Sequence, residues 1–108
     1  MPLLSKTEIK LILAARLGRA CPTLPAVTVA DTVHGLARLA ASLHRRYEAA
    51  CSYQYANTEK YERATERREA KARDLAAKIP GLTVEHQRDP RGWPLILKLD
   101  GEEIGRLG

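Results

Sequence analysis

Seven residues between positions 29 and 50 recur at a fixed spacing. Val29, Val33, Leu36, Ala40, Leu43, Tyr47 and Ala50 follow one another at intervals of 4, 3, 4, 3, 4 and 3. Intervals of three and four both approximate one helical turn, so these side chains share one face of a helix and would scatter over both faces of a strand. The seam predicts one long helix packed along its length against other elements. Leu39 widens the stripe. Gly35 weakens such a helix locally by about 1 kcal/mol relative to Ala, and a close helix crossing is the expected reason for its presence. The run "TVAD" supplies a start, with Thr28 as cap and Asp31 in the first turn.

Two further helices flank this one. Ser5 followed by Glu8 three residues later is the spacing of a capping box. Ile9, Ile12, Leu13 and Leu17 then fall on one side, and Gly18 marks an end. Cys21-Pro22 and Leu24-Pro25 make residues 18–27 a loop. The third helix begins at Asn57 or Thr58 and runs to Ile79, where Pro80-Gly81 stops it; the alternative is that it continues the second helix through a bend. Its apolar residues are sparse, so its first part is expected to be a solvated arm, with Glu59–Arg63 and Glu69–Arg73 as i,i+4 ion pairs.

The C-terminal quarter reads as a three-stranded antiparallel meander. Asp100-Gly101 is a two-residue hairpin signal. It sets Leu99 opposite Glu102, Lys98 opposite Glu103 and Leu97 opposite Ile104. Upstream, Asp89-Pro90-Arg91-Gly92 fits a type I turn position by position. That turn pairs Arg88 with Trp93, His86 with Leu95, Val84 with Leu97 and Leu82 with Leu99. Leu82, Val84, Trp93, Leu95, Leu97, Leu99 and Ile104 then share a face with His86, while Thr83, Glu85, Gln87, Lys98 and Glu103 take the other. Pro94 cannot donate a ladder bond, so its strand begins loosely. The expected class is α+β: a three-helix N-terminal part with a long central helix, then a small antiparallel hairpin or meander. One domain covers residues 1–108, helical over 5–79 and β-rich over 82–107.

Turn-making does not account for everything in "HQRDPRGWPL". Arg88 faces Trp93 at a distance suited to a cation–π contact, His86 borders that pair, and Arg91 fills a turn position open to nearly any residue. The bland reading of His86 is a half-buried imidazole bonded to a carbonyl. The sharper reading is a binding corner of His86, Arg88, Arg91 and Trp93, joined by Arg45 and Arg46 on the long helix.

The run "GLTVEHQRDPRGWPLILKL" resembles the ending of many small proteins encoded by phages and prophages, in which a polar helix leads into a strand, a Q-x-DPRG turn and an apolar strand. The upstream "LHRRYEAACSYQ" resembles the helix that precedes it there. The resemblance covers roughly residues 36–100; Trp93-Pro94 after the glycine and the extra N-terminal helix depart from it. It implies a mobile-element origin and carries no catalytic role over to these residues.

Composition narrows the chemistry. The formal charge is +5. Residues 1–57 hold seven Lys/Arg against three acids and residues 58–108 eleven against ten, so the basic excess sits in the first half. A basic balance suits an acidic protein or nucleic acid as partner. His34, His44, His86, Cys21 and Cys51 are dispersed, and His34 and His44 stand about 15 Å apart by helical rise, so no metal site is expected. Cys51, next to the seam, reads as a buried structural thiol, and both cysteines as reduced. There is no glycine-rich phosphate loop and no nucleophile beside an imidazole. The ten-residue connection between the first two helices is too long for a helix-turn-helix. These readings lead to a non-enzymatic, cofactor-free cytoplasmic protein without a membrane segment. It is expected to mask the surface of a host protein or nucleoprotein complex, such as a defence enzyme. The alternatives are a basic nucleic-acid-binding accessory protein and a homodimer formed through the long helix's seam.

Overall fold

The computed structural model describes residues 5–52, 58–88 and 91–108. Three helices, α1 (Lys6–Ala20), α2 (Ala26–Ser52) and α3 (Glu59–Ala76), precede three strands, β1 (Leu82–His86), β2 (Leu95–Leu99) and β3 (Glu102–Leu107). The strands form one antiparallel sheet in the order β1-β2-β3, so the chain is α+β. Both α1 and α3 pack on α2; β1 lies against α3 and β3 against α1.

Local signals explain the helix ends. Ser5 caps α1, its hydroxyl accepting from the Glu8 amide at 3.1 Å. The helix passes through Gly18 and ends at Ala20. Leu13 and Leu17 are buried, but Ile12 is 39 % exposed; it lies about 100° round from Leu13, outside the buried stripe. Thr28 is not the cap of α2. That helix starts at Ala26, and the Pro25 carbonyl accepts from Thr28 and Val29. A proline ahead of the first turn has its φ already set and loses no helical donor.

The α2 seam turns inward on the chain itself. Val29, Val33, Leu36, Ala40 and Leu43 join Leu13 and Leu17 of α1, Ala72 and Ala76 of α3, and Ile79, Leu82, Leu95, Leu97 and Leu107 in one core. The seam is filled within the monomer, so a homodimer along it does not fit this fold. Nor are α2 and α3 one bent helix. Gly35 faces Leu75, Ser42 bonds Arg68 and Arg46 bonds Thr65, a sequence of contacts that makes the helices antiparallel. Thr58 stands at the N-cap of α3, and Asn57, the other candidate cap, lies outside the described residues with 53–56. A Cβ on Gly35 would stand 3.0 Å from Leu75, which accounts for glycine at the crossing.

The first part of α3 is not a solvated arm. Thr65 is fully buried, its hydroxyl bonded to the Tyr61 carbonyl at 3.0 Å. That bond satisfies the buried polar group locally, as the bond from Thr32 to the Thr28 carbonyl does in α2. Cys51 is exposed rather than buried, because α2 has passed the end of its core contacts by that point.

The β1–β2 register is as expected: Leu82↔Leu99, Val84↔Leu97 and His86↔Leu95. The turn at Asp100-Gly101 has both residues at positive φ (52° and 86°), as tight hairpins require. It pairs Leu99 with Glu102 and Lys98 with Glu103. The register then shifts, and Leu97 faces Gly105 instead of Ile104. This bulge has a packing cause. Without it Arg106 would fall on the core face and Leu107 on the solvent face. With it Leu107 is buried, and Arg106 turns outward to Glu103 at 3.2 Å. Ile96 also departs from the simple two-face pattern. It is buried although it sits on the face assigned to water, between Glu85 and Arg106.

Gly105 lies directly under α1, where an added Cβ would stand 2.5 Å from Leu13. Gly105→Ala is therefore expected to cost about 1–3 kcal/mol in chemical denaturation. Shortening the opposing side chain by Leu13→Val in the same chain should return part of that loss, giving a measurable coupling between the two positions.

Candidate partner-binding site

The corner anticipated around His86 exists, and its cations are already occupied. His86 and Arg88 share a face of the chain at and just beyond the end of β1, two residues apart. Glu62 and Glu69 lie seven apart on α3, hence on one side of it. Docking β1 on α3 brings the pairs together. Glu69 binds His86 Nδ1 through Oε2 and Arg88 Nη2 through Oε1, the latter at 3.1 Å. Arg88 Nη1 reaches both oxygens of Glu62, at 2.7 and 2.8 Å. The partner of His86 is a carboxylate, not the carbonyl expected of a simple half-buried histidine.

Trp93 completes the cluster from the connection ahead of β2. Its ring lies 5.2 Å from the Arg88 guanidinium, 5.7 Å from His86 in an edge-on arrangement and 6.2 Å from Tyr47 of α2. The cation–π contact is as expected. Pro94 lies outside the regular ladder, but its carbonyl accepts from Gln87 at 3.1 Å and extends the hairpin by one bond. Asp89 and Pro90, half of the expected turn, lie outside the described residues. Arg91 is exposed and beside the corner.

The two helical arginines behave differently from each other. Arg46 lies 4.5 Å over the Tyr61 ring and bonds Thr65 at 3.4 Å, so it ties α2 to α3. Arg45 points to solvent. The structure thus brings together His86, Arg88 and Trp93, and places Arg46 in a separate interhelical contact. Glu62, Glu69 and Tyr47 were missing from the sequence-based corner. Part of the signal is in the sequence: Glu62 and Glu69 stand seven apart, on one side of α3, and His86 and Arg88 stand two apart, on one side of the strand. It was hidden by reading α3 as an arm and by assigning Glu69 to Arg73.

Burial alone would raise the Glu69 carboxyl, but hydrogen bonds from His86 and Arg88, together with their charges, hold it below the ordinary value of 4.5. Burial likewise works against the Arg88 guanidinium, but its bonds to Glu62 and Glu69 and their charges keep its pKa above the usual arginine value. The His86 side chain is only 3 % exposed, and its Nε2 is buried without a hydrogen-bond partner among the described residues. A general base needs that nitrogen within reach of a reacting proton. Here the Glu69–His86–Arg88 arrangement clamps β1 to α3.

A second feature adjoins the corner through His44, whose ring lies 5.7 Å from Tyr47, and Gly108. A groove of about 460 Å³ runs between α1, α2 and the end of β3, bordered by Lys6, Lys10, Arg38, His34 and His44. Arg63, Arg88, Lys98 and Arg106 hold ion pairs within α3 and the sheet region. Lys6, Lys10 and Arg38 on the border of the groove hold no ion pair among the described residues. No helix among the described residues is long and apolar enough to cross a membrane.

No protein-family model matches the chain, and neither the curated proteins nor the solved structures contain a match.

The lowered Glu69 pKa makes a signed prediction. A carboxyl whose native pKa lies below its unfolded value adds stability above the unfolded value and loses it as pH falls through the native one. Glu69→Gln should therefore be less stable than the parent at pH 7 by about 2–3 kcal/mol, the scale of hydrogen bonds to a charged group. The gap should be full above pH 4.5 and narrow progressively in more acid solution. Urea titrations of both proteins across that range measure it.

Proposed function

We propose that the chain is a small non-enzymatic binding protein of phage or mobile-element origin, acting by covering an anionic surface of a host protein or nucleoprotein complex. One observation carries the binding surface: among the described residues Lys6, Lys10, Arg38 and Arg45 hold no ion pair, whereas Arg63, Arg88, Lys98 and Arg106 do. Charges left unneutralised on a folded surface steer association and select a partner of opposite sign. The basic face of α2 is therefore a better candidate than the His86–Trp93 corner, whose arginine is held by two carboxylates of its own chain.

Arg38 and Arg45 are seven residues apart and both exposed, so they lie along one face of α2. The tagged protein and its Arg38→Glu/Arg45→Glu variant are to be compared in pull-downs from host lysate with quantitative mass spectrometry. A reproducible partner should be retained by the parent and lost by the variant at unchanged thermal stability. Recovery of the same partner by both chains removes this face from the reading.

The same two arginines favour a second reading, in which the partner is nucleic acid. Phosphate contacts release counterions, so affinity would fall steeply with salt, and removing both cations should reduce the slope of log K against log salt by about 2. Absence of binding to duplex and single-stranded oligonucleotides at low salt removes this alternative.

A further inference from the structure

We infer that the groove between α1 and α2 receives an acidic, amphipathic segment of a protein partner, seating its aliphatic side chains between Lys6, Lys10 and Arg38. The inference rests on the binding reading above and deepens it by naming the site and the chemistry of the occupant.

The floor and the rim of the groove make separate demands. Ala37, Ala40 and Ala41 of α2, with Ile9 of α1 and Leu107 of β3, give it an aliphatic lining. Alanine at three neighbouring positions leaves a hollow where larger side chains would have closed the surface. The volume, about 460 Å³, is in the range of sites that bury apolar groups. Lys6 and Lys10 stand one helical turn apart on α1, an arrangement of like charges that weakens an isolated helix. Arg38 faces them across the groove from α2, and among the described residues no Asp or Glu side chain lines it. Glu48 lies beyond the rim, paired with His44 at 3.3 Å.

Charge complementarity therefore asks for carboxylates at the edges, and the floor asks for aliphatic anchors between them. A helix with apolar residues at i, i+3 or i+4 and i+7 and acids on either side satisfies both. Nucleic acid satisfies only the rim. Strand binding without base readout relies on aromatic platforms for stacking, and among the described residues no Phe, Tyr or Trp lines this groove.

The probe is one Leu-anchored amphipathic peptide of about 15 residues, long enough for roughly four helical turns. It is made with Glu, Gln or Lys at the flanking positions, and fluorescence anisotropy is measured against the full chain. A composition-matched scramble and a single-stranded oligonucleotide serve as further ligands. The Glu-flanked peptide should bind at least about tenfold more tightly than the Gln-flanked one, with the Lys-flanked peptide and the scramble weaker still. Arg38→Glu should weaken it by about tenfold or more, and Ala41→Trp, which fills the floor without altering charge, by a similar factor. Lys71→Glu, an exposed reversal on α3, should leave it unchanged. Thermal melts of each variant establish that it is folded, and amide shift mapping of the parent gives a readout independent of the variants. Shifts confined to α1, α2 and the end of β3 support the assignment.

Equal binding of the three flanking versions, binding insensitive to Arg38→Glu, no peptide binding, or shifts centred elsewhere would each overturn it. Oligonucleotide binding lost in Arg38→Glu, with no peptide bound, overturns this inference and leaves the basic face of α2 in use. A dimer seen by light scattering and abolished by Arg38→Glu assigns the groove to a second copy instead and equally overturns it. A lysate partner lost in the Arg38→Glu/Arg45→Glu variant, with no peptide seated in the groove, separates failure of this inference from failure of the broader reading.

Discussion

The seam of α2 is the surface on which the rest of the molecule is assembled. Its apolar residues are buried with those of α1, α3 and the sheet in one continuous core. The interior contains no Phe, so it is built from Leu, Val, Ile and Ala, and close approach has to replace bulk. Gly35 under Leu75 and Gly105 under Leu13 are two points of such close approach. At both points a single added methyl group would meet a side chain of a neighbouring element. The bulge in β3 follows from the same condition, since it lets Leu107 reach the core while Arg106 turns away.

Because the seam is consumed internally, a regular heptad-like spacing does not by itself identify an oligomer. The same 4,3 pattern serves a dimer or a central helix with neighbours on its own chain, and only the number of other apolar faces available decides between them. Here α1, α3 and the sheet each offer one. A second copy would have to displace all three.

Periodic features were the legible ones. The seam, the Ser5–Glu8 cap, the Asp100-Gly101 turn and the pairing of Leu82, Val84 and His86 with β2 all depend on contacts between near neighbours in sequence or on strict alternation, and all are present in the fold. Features set by distant elements were not legible. Thr65 looked like part of a solvated face, but α2 lies over it. Glu69 had a suitable partner four residues away in Arg73, yet His86 and Arg88 hold it once β1 docks on α3. The one-residue shift at Gly105 depends on where Leu13 stands. Cys51 adjoins the seam in sequence but lies beyond the end of its packing. Each of these is decided by tertiary packing that overrides a reasonable local preference.

The same distinction governs the two candidate surfaces. His86, Arg88 and Trp93 stand out in sequence because they are unusual residue types in a short run. Their neighbours in space explain the concentration: Arg88 is the counter-ion of Glu62 and Glu69, Trp93 covers that pair, and His86 fixes the remaining oxygen of Glu69. Arg88 and Glu62 are partly exposed, but Glu69 is only 17 % exposed and would be left without its charged partners, a loss on the scale of hydrogen bonds to a charged group, about 1.5–3 kcal/mol. A partner could take Arg88 away from α3 only by replacing both carboxylates. Lys6, Lys10 and Arg38 present no such barrier to an incoming carboxylate. They look unremarkable in sequence, separated by more than a helix length of chain, and become one rim only when α1 folds onto α2. The surface most available to a partner is thus made of residues that no short motif connects, and the most motif-like stretch is committed to holding β1 against α3.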